Sequence, residues 1–472
     1  MKILIQNVHA IDKNLDTVTD ILIQNGKIAK IAPNIDETCD RVINGQGLVA
    51  MPSFFDMHVH FRDPGQTHKE DILTGCQAAL AGGVTGVLAM PNTTPPVDSP
   101  EILQYIIDKA KGTGVRVYPV ACITKGMNGE ELTDFEELKA NGAAALSDDG
   151  RPVKNAEIMR QALENAKKAG MLITSHCEDL DIINGGIMHK GEVSEELGVK
   201  GMDRSSEDYI TAREIILANS VQGKVHICHI STKGCTDIIR TAKQLGVQVT
   251  CETAPHYFML THEKLRSRNA NDRMNPPLRE ESDRKAIEDA IIDGTIDCII
   301  TDHAPHTQEE KADFEKAPNG IVGLETSFAA VLTALYHTGK ISLQRINELM
   351  NINPRRILGL PRETLRVHAP ANLILADLGK KWIVDPKKLH GKSCNTAFRG
   401  MELTGKVMMT ISNGEIRYEY TEKPKEAREA KVIKEAKASK AQKEGKPSRP
   451  QEGKASKTQK VSKETKKSRR ES

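Results

Sequence analysis

Aromatic residues, paired cysteines and long hydrophobic runs are all scarce in this chain of 472 residues. Aromatic side chains make up 3% of it, so the core must rely on Val, Ile, Leu, Ala and Met. No apolar run approaches the roughly 20 residues that cross a bilayer. The opening MKILIQNVHAIDKN turns polar too early for a signal peptide. We therefore expect a cytoplasmic protein with no membrane association.

The nine cysteines are scattered and never spaced as C-x-x-C. In a cytoplasmic chain this pattern argues against a disulfide framework and against a zinc site made only of thiolates. Several cysteines lie inside apolar runs, where a free thiol packs as a small hydrophobic group. They are Cys122, Cys228 and Cys298.

The net charge of +2 is unevenly distributed along the chain. Residues 421–472 contain 18 Lys and Arg against 8 Asp and Glu, a net charge of +10, which leaves −8 for residues 1–420. This tail has almost no large apolar side chain, so we expect it to be disordered. No aromatic residue lies among its basic residues to stack on bases, which argues against a nucleic-acid partner.

Eight short apolar runs alternate with amphipathic, helix-like segments through the middle of the chain. Strands that are apolar on both faces and joined by helices predict a parallel sheet. Eight such units match the size of a (β/α)₈ TIM barrel. An open doubly wound sheet would more often carry a glycine-rich phosphate loop after its first strand, and this chain has none. The runs are 54–60, 84–90, 115–121, 142–147, 171–176, 224–230, 247–253 and 296–301.

The two flanks of this region consist of short strand patterns with hairpin signals at Asn25-Gly26 and Asn413-Gly414. Neither flank has enough strands for a stable sheet, so we predict that they pair into one small β-sandwich. The predicted α/β protein then has four regions along the chain. They are the N-terminal strands of the β-sandwich (1–52), the TIM barrel (53–359), the C-terminal strands of the β-sandwich (360–420) and the disordered basic tail (421–472).

Polar residues collect where the predicted strands end. His58 and His60 are two residues apart in FDMHVHFRDPG, so on a strand they project from the same face. The carboxyl ends of barrel strands form the rim at which barrel enzymes have their active sites. Similar residues follow the fourth, fifth, sixth and eighth strands, namely Asp148, Asp149, His176, His229, Asp302 and His306.

This donor set predicts a metal centre. Imidazole and carboxylate ligands without thiolates suit Zn²⁺, Mn²⁺, Fe²⁺ or Co²⁺ rather than Ca²⁺. A catalytic zinc usually has about three protein ligands and a water. Four imidazoles and two carboxylates exceed that number and would serve two metals that share a carboxylate. Such a pair can produce hydroxide at neutral pH and polarise a carbonyl.

Several motifs together resemble the bacterial class I dihydroorotases of the amidohydrolase superfamily. They are DMHVHFRDPG, MPNTTPP, SDDG, SHCED, CHISTK, RMNPPLRE, TDHAPH and GIVGLETSF. The resemblance covers residues 1–420 and implies reversible cyclisation of N-carbamoyl-L-aspartate to L-dihydroorotate in pyrimidine (UMP) biosynthesis. It also implies zinc, with two ions per subunit, and suggests a homodimer and an association with aspartate transcarbamoylase.

The resemblance also implies a role for each site residue. Asp149 would bridge the two metals, with Asp148 as the alternative if the register is shifted by one. Asp302 would act as general acid and base, taking a proton from the metal-activated hydroxide and returning it to the leaving amide nitrogen. The implied metal ligands are His58, His60, Asp149, His176, His229 and Asp302.

The substrate's free carboxylate would be held by Arg62, Asn92 and His306, since a guanidinium can bind a carboxylate through two hydrogen bonds. Asn319 and Gly320 would offer backbone contacts to the dihydropyrimidine ring, although the family often has an aromatic residue in place of Asn319. The full set of implied substrate contacts is His60, Arg62, Asn92, Asn275, His306, Asn319 and Gly320.

Two alternatives stay open. Hydantoinases and allantoinases also open cyclic amides, but many relatives bridge their metals with a carboxylated lysine, and no lysine lies at the end of the fourth strand here. A non-catalytic, dihydroorotase-like scaffold subunit would have lost metal ligands, whereas this chain retains every one.

Overall fold

The structure, a computed structural model, describes residues 1–421. Apart from Thr421, the tail predicted to be disordered lies outside the described residues. The chain begins with five strands, which are β1 (Lys2–Asp12), β2 (Leu15–Gln24), β3 (Lys27–Ala32), β4 (Arg41–Asn44) and β5 (Val49–Pro52).

The barrel strands follow, and each lies inside one of the eight apolar runs predicted above. The first five are β6 (Phe54–Val59), β7 (Val84–Ala89), β8 (Arg116–Ala121), β9 (Ala145–Leu146) and β10 (Ile173–Ser175). A separate two-stranded piece, β11 (Met188–His189) and β12 (Gly201–Met202), comes next. The last three barrel strands are β13 (Val225–Ile227), β14 (Val249–Thr253) and β15 (Cys298–Ile299).

The eight barrel strands are hydrogen-bonded to one another in chain order, and every pair is parallel. A parallel bridge between Val59 and His303 joins the first strand to the segment after the last one. The His60 amide also donates to the carbonyl of His303 at 2.8 Å. These contacts bring the two ends of the sheet together, and the predicted TIM barrel is confirmed.

Helices lie between the strands and after the barrel. They are α1 (Ile72–Ala81), α2 (Pro100–Ala110), α3 (Phe135–Ala140), α4 (Ala156–Ala169), α5 (Leu180–Ile183), α6 (Glu192–Glu196), α7 (Ser205–Ser220), α8 (Lys233–Gln244), α9 (Pro255–Met259), α10 (Glu281–Asp293), α11 (Ser327–Val331), α12 (Leu343–Asn347) and α13 (Asn353–Ile357). Within residues 1–421, no helix combines the length and the hydropathy needed to cross a membrane.

Helix α4 illustrates how the local sequence sets these elements. The Asn155 side chain accepts from the amide of Ile158 and caps the first turn. Gly170 ends the helix with a left-handed φ of 64°. Its buried residues recur at helical spacing, so one apolar face packs on the barrel: Met159, Ala162, Leu163, Ala166 and Ala169.

The two flanks pair with each other, as predicted, and form one further sheet of eight strands, while the layered arrangement of a β-sandwich stays a prediction. Its remaining strands are β16 (Leu373–Ile383), β17 (Glu402–Ser412) and β18 (Glu415–Glu419), and β16 pairs antiparallel with β5 from the other flank. Both predicted hairpins form, with φ values of 52° and 77° at Asn25-Gly26 and again at Asn413-Gly414. Residues Met1–Tyr420 form one compact unit, so the boundaries predicted inside it stay predictions.

Candidate active site

The imidazoles and carboxylates predicted for the site lie together at the carboxyl ends of the barrel strands. His58 and His60 are at the end of β6, and the other four follow β9, β10, β13 and β15. None of the six is more than 5% exposed, so they occupy an enclosed cluster. The six are His58, His60, Asp149, His176, His229 and Asp302.

Asp149 lies at the centre of this cluster. Its Oδ1 is 3.4 Å from His58 Nε2, 3.5 Å from His176 Nδ1 and 3.6 Å from His229 Nε2. Its Oδ2 is 3.5 Å from His60 Nε2. Two groups of three potential metal ligands therefore share this one carboxylate, and within each group the donor atoms lie within 4.8 Å of one another.

Asp148, the alternative bridge, is used elsewhere. Its Oδ1 accepts from the backbone amides of Ile123 at 2.8 Å and Thr124 at 3.2 Å, and its Oδ2 accepts from the Thr124 hydroxyl. Burial raises the pKa of Asp148 to about 6. The carboxylate that the fold brings among the four histidines is thus that of Asp149, while Asp148 holds the loop after β8.

Asp302 completes the cluster. Its Oδ1 lies 3.2 Å from His60 Nε2 and 3.8 Å from His58 Nε2. Asp302 has a φ of 48° and His229 a φ of 32°, in a region that residues other than glycine rarely adopt. Such backbone strain is typical of functional sites, where the surrounding structure fixes an otherwise unfavourable conformation.

The electrostatics of the cluster fit a cation site. Burial works against ionisation of Asp149, but the adjoining imidazoles of His58, His176 and His229 hold its pKa well below the usual value. Among residues 1–421, His58 Nε2 and Asp149 Oδ1 are buried without a hydrogen-bond partner. Buried polar atoms are nearly always satisfied. Imidazole and carboxylate donors that converge in a buried cluster, two of them without a hydrogen-bond partner, suit divalent cations, so the donor set fits a metal.

Two carboxylates that we did not foresee hold these imidazoles. Glu252 on β14 lies 2.8 Å from His58 Nδ1 and 3.1 Å from His226 Nε2. Glu178 lies 3.3 Å from His176 Nε2. An acceptor on one ring nitrogen fixes the tautomer and directs the other nitrogen towards the cluster. A carboxylate inside the apolar run of the seventh strand was the signal that could have identified Glu252.

The predicted carboxylate-binding residues lie at the same rim. Arg62 is 8% exposed, and its Nε donates to the carbonyl of Pro305 at 3.3 Å. Burial lowers the pKa of Arg62 to about 10, so it stays charged at neutral pH. No carboxylate within the described residues forms an ion pair with it.

His306 lies beside the guanidinium of Arg62 but does not accept a hydrogen bond from it. Burial, Arg62, Lys311 and Lys69 lower the pKa of His306 to about 2, so the imidazole is neutral. Its Nε2 donates to the carbonyl of Asn319 at 2.9 Å. Arg62 Nη2, 3.3 Å from the same nitrogen, therefore faces a proton rather than a lone pair. The free donors of Arg62 are available to an anionic ligand.

The other predicted substrate residues are close by, with partners of their own. Asn92 Oδ1 lies 2.8 Å from His60 Nδ1, so this amide also orients a cluster imidazole. Asn275 Nδ2 donates to Glu178 at 2.8 Å. A Cβ on Gly320 would lie 2.6 Å from the carbonyl oxygen of Ala304, so only glycine fits there.

Comparison with known proteins agrees with this geometry. A family profile described as Dihydro-orotase-like matches residues 47–235. A dihydroorotase of Geobacter metallireducens is 47% identical over 428 residues, covering 89% of this chain and 100% of that protein. A dihydroorotase of Citrifermentans bemidjiense is 46% identical over 424 residues, with the same coverage of 89% and 100%. The chain belongs to the dihydroorotase family.

Solved structures that resemble this member of the dihydroorotase family include hydantoinases. The L-hydantoinase (dihydropyrimidinase) of Arthrobacter aurescens has a TM-score of 0.80 and 23% identity, covering 89% of this chain and 96% of that one. A D-hydantoinase of a Thermus species has a TM-score of 0.74 and 24% identity, covering 89% and 97%. At these identities the likeness extends to the fold alone, and the family resemblance inferred from the motifs is confirmed by the dihydroorotase relatives.

Proposed function

We propose that this protein is a dihydroorotase. It hydrolyses L-dihydroorotate to N-carbamoyl-L-aspartate and catalyses the reverse cyclisation, a step of pyrimidine biosynthesis. The observation that carries the proposal is the position of Arg62, a buried guanidinium without an ion pair in residues 1–421, beside a donor cluster suited to divalent cations. A substrate with a ring amide and a free carboxylate matches both features.

We propose that two divalent zinc ions would be held by two groups of ligands that have Asp149 in common. His58, His60 and Asp149 would hold one, Asp149, His176 and His229 the other, with Asp302 adjoining the first group. When bound, such cations polarise a carbonyl and lower the pKa of water. Imidazole nitrogen and carboxylate oxygen are the donors that catalytic zinc prefers.

Arg62 orients the substrate through the carboxylate. A guanidinium can form two parallel hydrogen bonds with a carboxylate, which fixes both its place and its orientation. His306 is neutral, so the positive charge that attracts the carboxylate is that of Arg62. The Nε2 proton of His306 holds the loop at Asn319. The ring amide is thereby placed at the donor cluster.

Asp302 moves the proton. Burial raises its pKa, but the hydrogen bond from His60 and the nearby His58 and His229 outweigh this, so its pKa is lowered and the carboxylate is ionised at neutral pH. The oxygen of water bonds to the ring carbonyl carbon, and Asp302 accepts the proton that is released. As the C–N bond breaks, Asp302 returns the proton to the ring nitrogen. Cyclisation follows the same steps in reverse and releases water.

A hydrolysis assay on the purified full chain tests the proposal. Ring opening of dihydroorotate is followed spectrophotometrically, with metal analysis of the same sample. We expect faster turnover of dihydroorotate than of hydantoin, which has no free carboxylate for Arg62. Faster turnover of hydantoin would contradict the substrate assignment, and a metal-loaded protein without turnover would support a scaffold subunit.

Three predictions concern the setting of this activity. The cytoplasmic location is the expectation drawn from the sequence pattern, and the homodimer and the association with aspartate transcarbamoylase come from the resemblance. Light scattering on the purified chain, alone and mixed with the transcarbamoylase of the same organism, measures the last two. A monomeric mass in both samples would contradict them.

A further inference from the structure

A segment of the C-terminal flank, residues 389–399, lies against the loops that carry the substrate-binding residues. The Lys392 amide donates to Glu70 Oε1 at 3.1 Å, and Lys392 Nζ donates to the carbonyl of Thr67 at 2.8 Å. Ser393 Oγ donates to the carbonyl of Lys69 at 2.6 Å. This segment, which we call the 389–399 segment, therefore holds the loop that follows Arg62.

Asn395, in the middle of this segment, joins the second substrate-binding region. It is 3% exposed. Its Oδ1 accepts from the amide of His306 at 3.0 Å, and its Nδ2 donates to the carbonyls of Ala304 at 3.1 Å and Gly320 at 3.0 Å. Its own carbonyl accepts from the amide of Val322 at 3.0 Å. Because two side-chain partners are carbonyls and one is an amide, the orientation of the Asn395 amide is fixed by its surroundings.

These hydrogen bonds fix the chain on both sides of the Pro305 carbonyl, the group that orients Arg62. Asn395 holds the carbonyl of Ala304 and the amide of His306, and between them lies the carbonyl of Pro305. That carbonyl accepts the Nε proton of Arg62 at 3.3 Å. The clamped Gly320 also packs against the His306 ring, since a Cβ there would lie 2.9 Å from His306 Cδ2. Movement of either loop would displace the anion-binding guanidinium.

We propose that Asn395 is a positioning residue of the active site. Resting on the function proposed above, the inference is that a side chain from outside the barrel fixes the substrate-binding loops that carry Arg62, His306 and Gly320. The side-chain hydrogen bonds of Asn395 go to His306, Ala304 and Gly320, none of which belongs to the donor cluster. Its loss should therefore affect substrate binding and leave the metal content unchanged.

Asn351 provides a matched control. It is 0% exposed and also forms three side-chain hydrogen bonds. Its Nδ2 donates to Asn347 Oδ1 at 2.8 Å and to the carbonyl of Glu363 at 3.1 Å, and its Oδ1 accepts from Arg355 at 3.0 Å. None of these partners belongs to the site. N351A therefore removes the same number of buried hydrogen bonds without touching the loops that carry Arg62, His306 and Gly320.

The experiment compares the full-length wild type, N395A and N351A. For N395A we expect a KM for dihydroorotate raised about tenfold or more by misplacement of the binding group, a smaller change in kcat, and wild-type metal content. For N351A we expect a loss of thermal stability with an unchanged KM. A KM for N395A within twofold of wild type, or an equal rise in both variants, would overturn the proposal.

Hydrogen exchange separates this inference from the proposed function. Amide exchange across residues 304–322 should rise about fivefold or more in N395A, the factor that corresponds to one lost hydrogen bond, and should not change in N351A. Unaltered exchange in N395A would overturn the positioning role even if the wild type fails to hydrolyse dihydroorotate. Should N395A not fold, N395D serves instead. The carboxylate of this variant can still accept from the His306 amide, but its second oxygen lies against the carbonyls of Ala304 and Gly320 and repels them. An unchanged KM for N395D would contradict the proposal.

Discussion

Replacing Arg62 with methionine tests the substrate assignment through the size of the loss. Methionine fills a similar length without charge or hydrogen bonds. A bidentate contact between guanidinium and carboxylate contains two charged hydrogen bonds, each worth about 1.5–3 kcal/mol. Because Arg62 is only 8% exposed, water screens this interaction little. We expect R62M to lose about 3 kcal/mol of binding, a rise in KM of roughly a hundredfold.

The assay is a kinetic comparison of dihydroorotate with hydantoin, together with metal analysis. R62M should lose the preference for dihydroorotate while its metal content stays at the wild-type level. Burial of an unpaired charge is unfavourable, as the lowered pKa of Arg62 indicates, so R62M should not reduce the melting temperature. An unchanged KM, or an equal loss of activity on both substrates, would refute the reasoning.

Three further predictions address the support of the site, its pH dependence and the tail. E252Q removes the charge that holds His58 Nδ1 and should weaken metal affinity about tenfold in a competition titration; unchanged affinity would contradict this role. Burial raises the pKa of Glu214 from 4.5 to about 7. Between pH 4.5 and pH 7 the folded state therefore binds more protons than the unfolded state, and the free energy of unfolding falls as the pH rises. E214Q should therefore raise the melting temperature at pH 8 and leave it unchanged at pH 4.5, and the opposite pH dependence would contradict the assignment. Deleting residues 421–472 should leave kcat/KM unchanged, and a large loss would show that the tail contributes to catalysis.

The barrel could be predicted from the sequence because its determinants are local. Each of the eight strands is a short apolar run between amphipathic helices, and a parallel sheet buried on both faces requires this pattern. The H-x-H pair at the end of the first run was similarly visible, since two-residue spacing places His58 and His60 on one side. The Asn-Gly dipeptides between strand patterns also identified both hairpins of the flanking sheet.

Strand periodicity could not decide between Asp148 and Asp149. Strand β9 covers only Ala145–Leu146, so the alternation of side chains ends before the two carboxylates. Their directions are set instead by tertiary hydrogen bonds, above all those from Ile123 and Thr124 to Asp148. The resemblance to known dihydroorotases favoured Asp149, and the residues alone left the choice open.

The contribution of Asn395 could not be read from the sequence for a related reason. It is 89 positions from His306 along the chain and joins it through one backbone amide, a contact that has no periodicity. Arg62 lies two residues beyond His60, but strand spacing does not apply to it, since β6 ends at Val59 and Arg62 has a φ of 60°. The turn after the strand, rather than strand alternation, directs its side chain.

The most direct test of the central claim is the number of metal ions that each chain retains after extensive dialysis. We compare wild type with D149N and D148N, two neighbouring buried aspartates of which only one lies among the histidines. The account predicts two ions in the wild type and in D148N, and at most one in D149N, with activity lost in parallel. Turnover of dihydroorotate by wild-type protein without metal, or two ions retained by D149N, would contradict it.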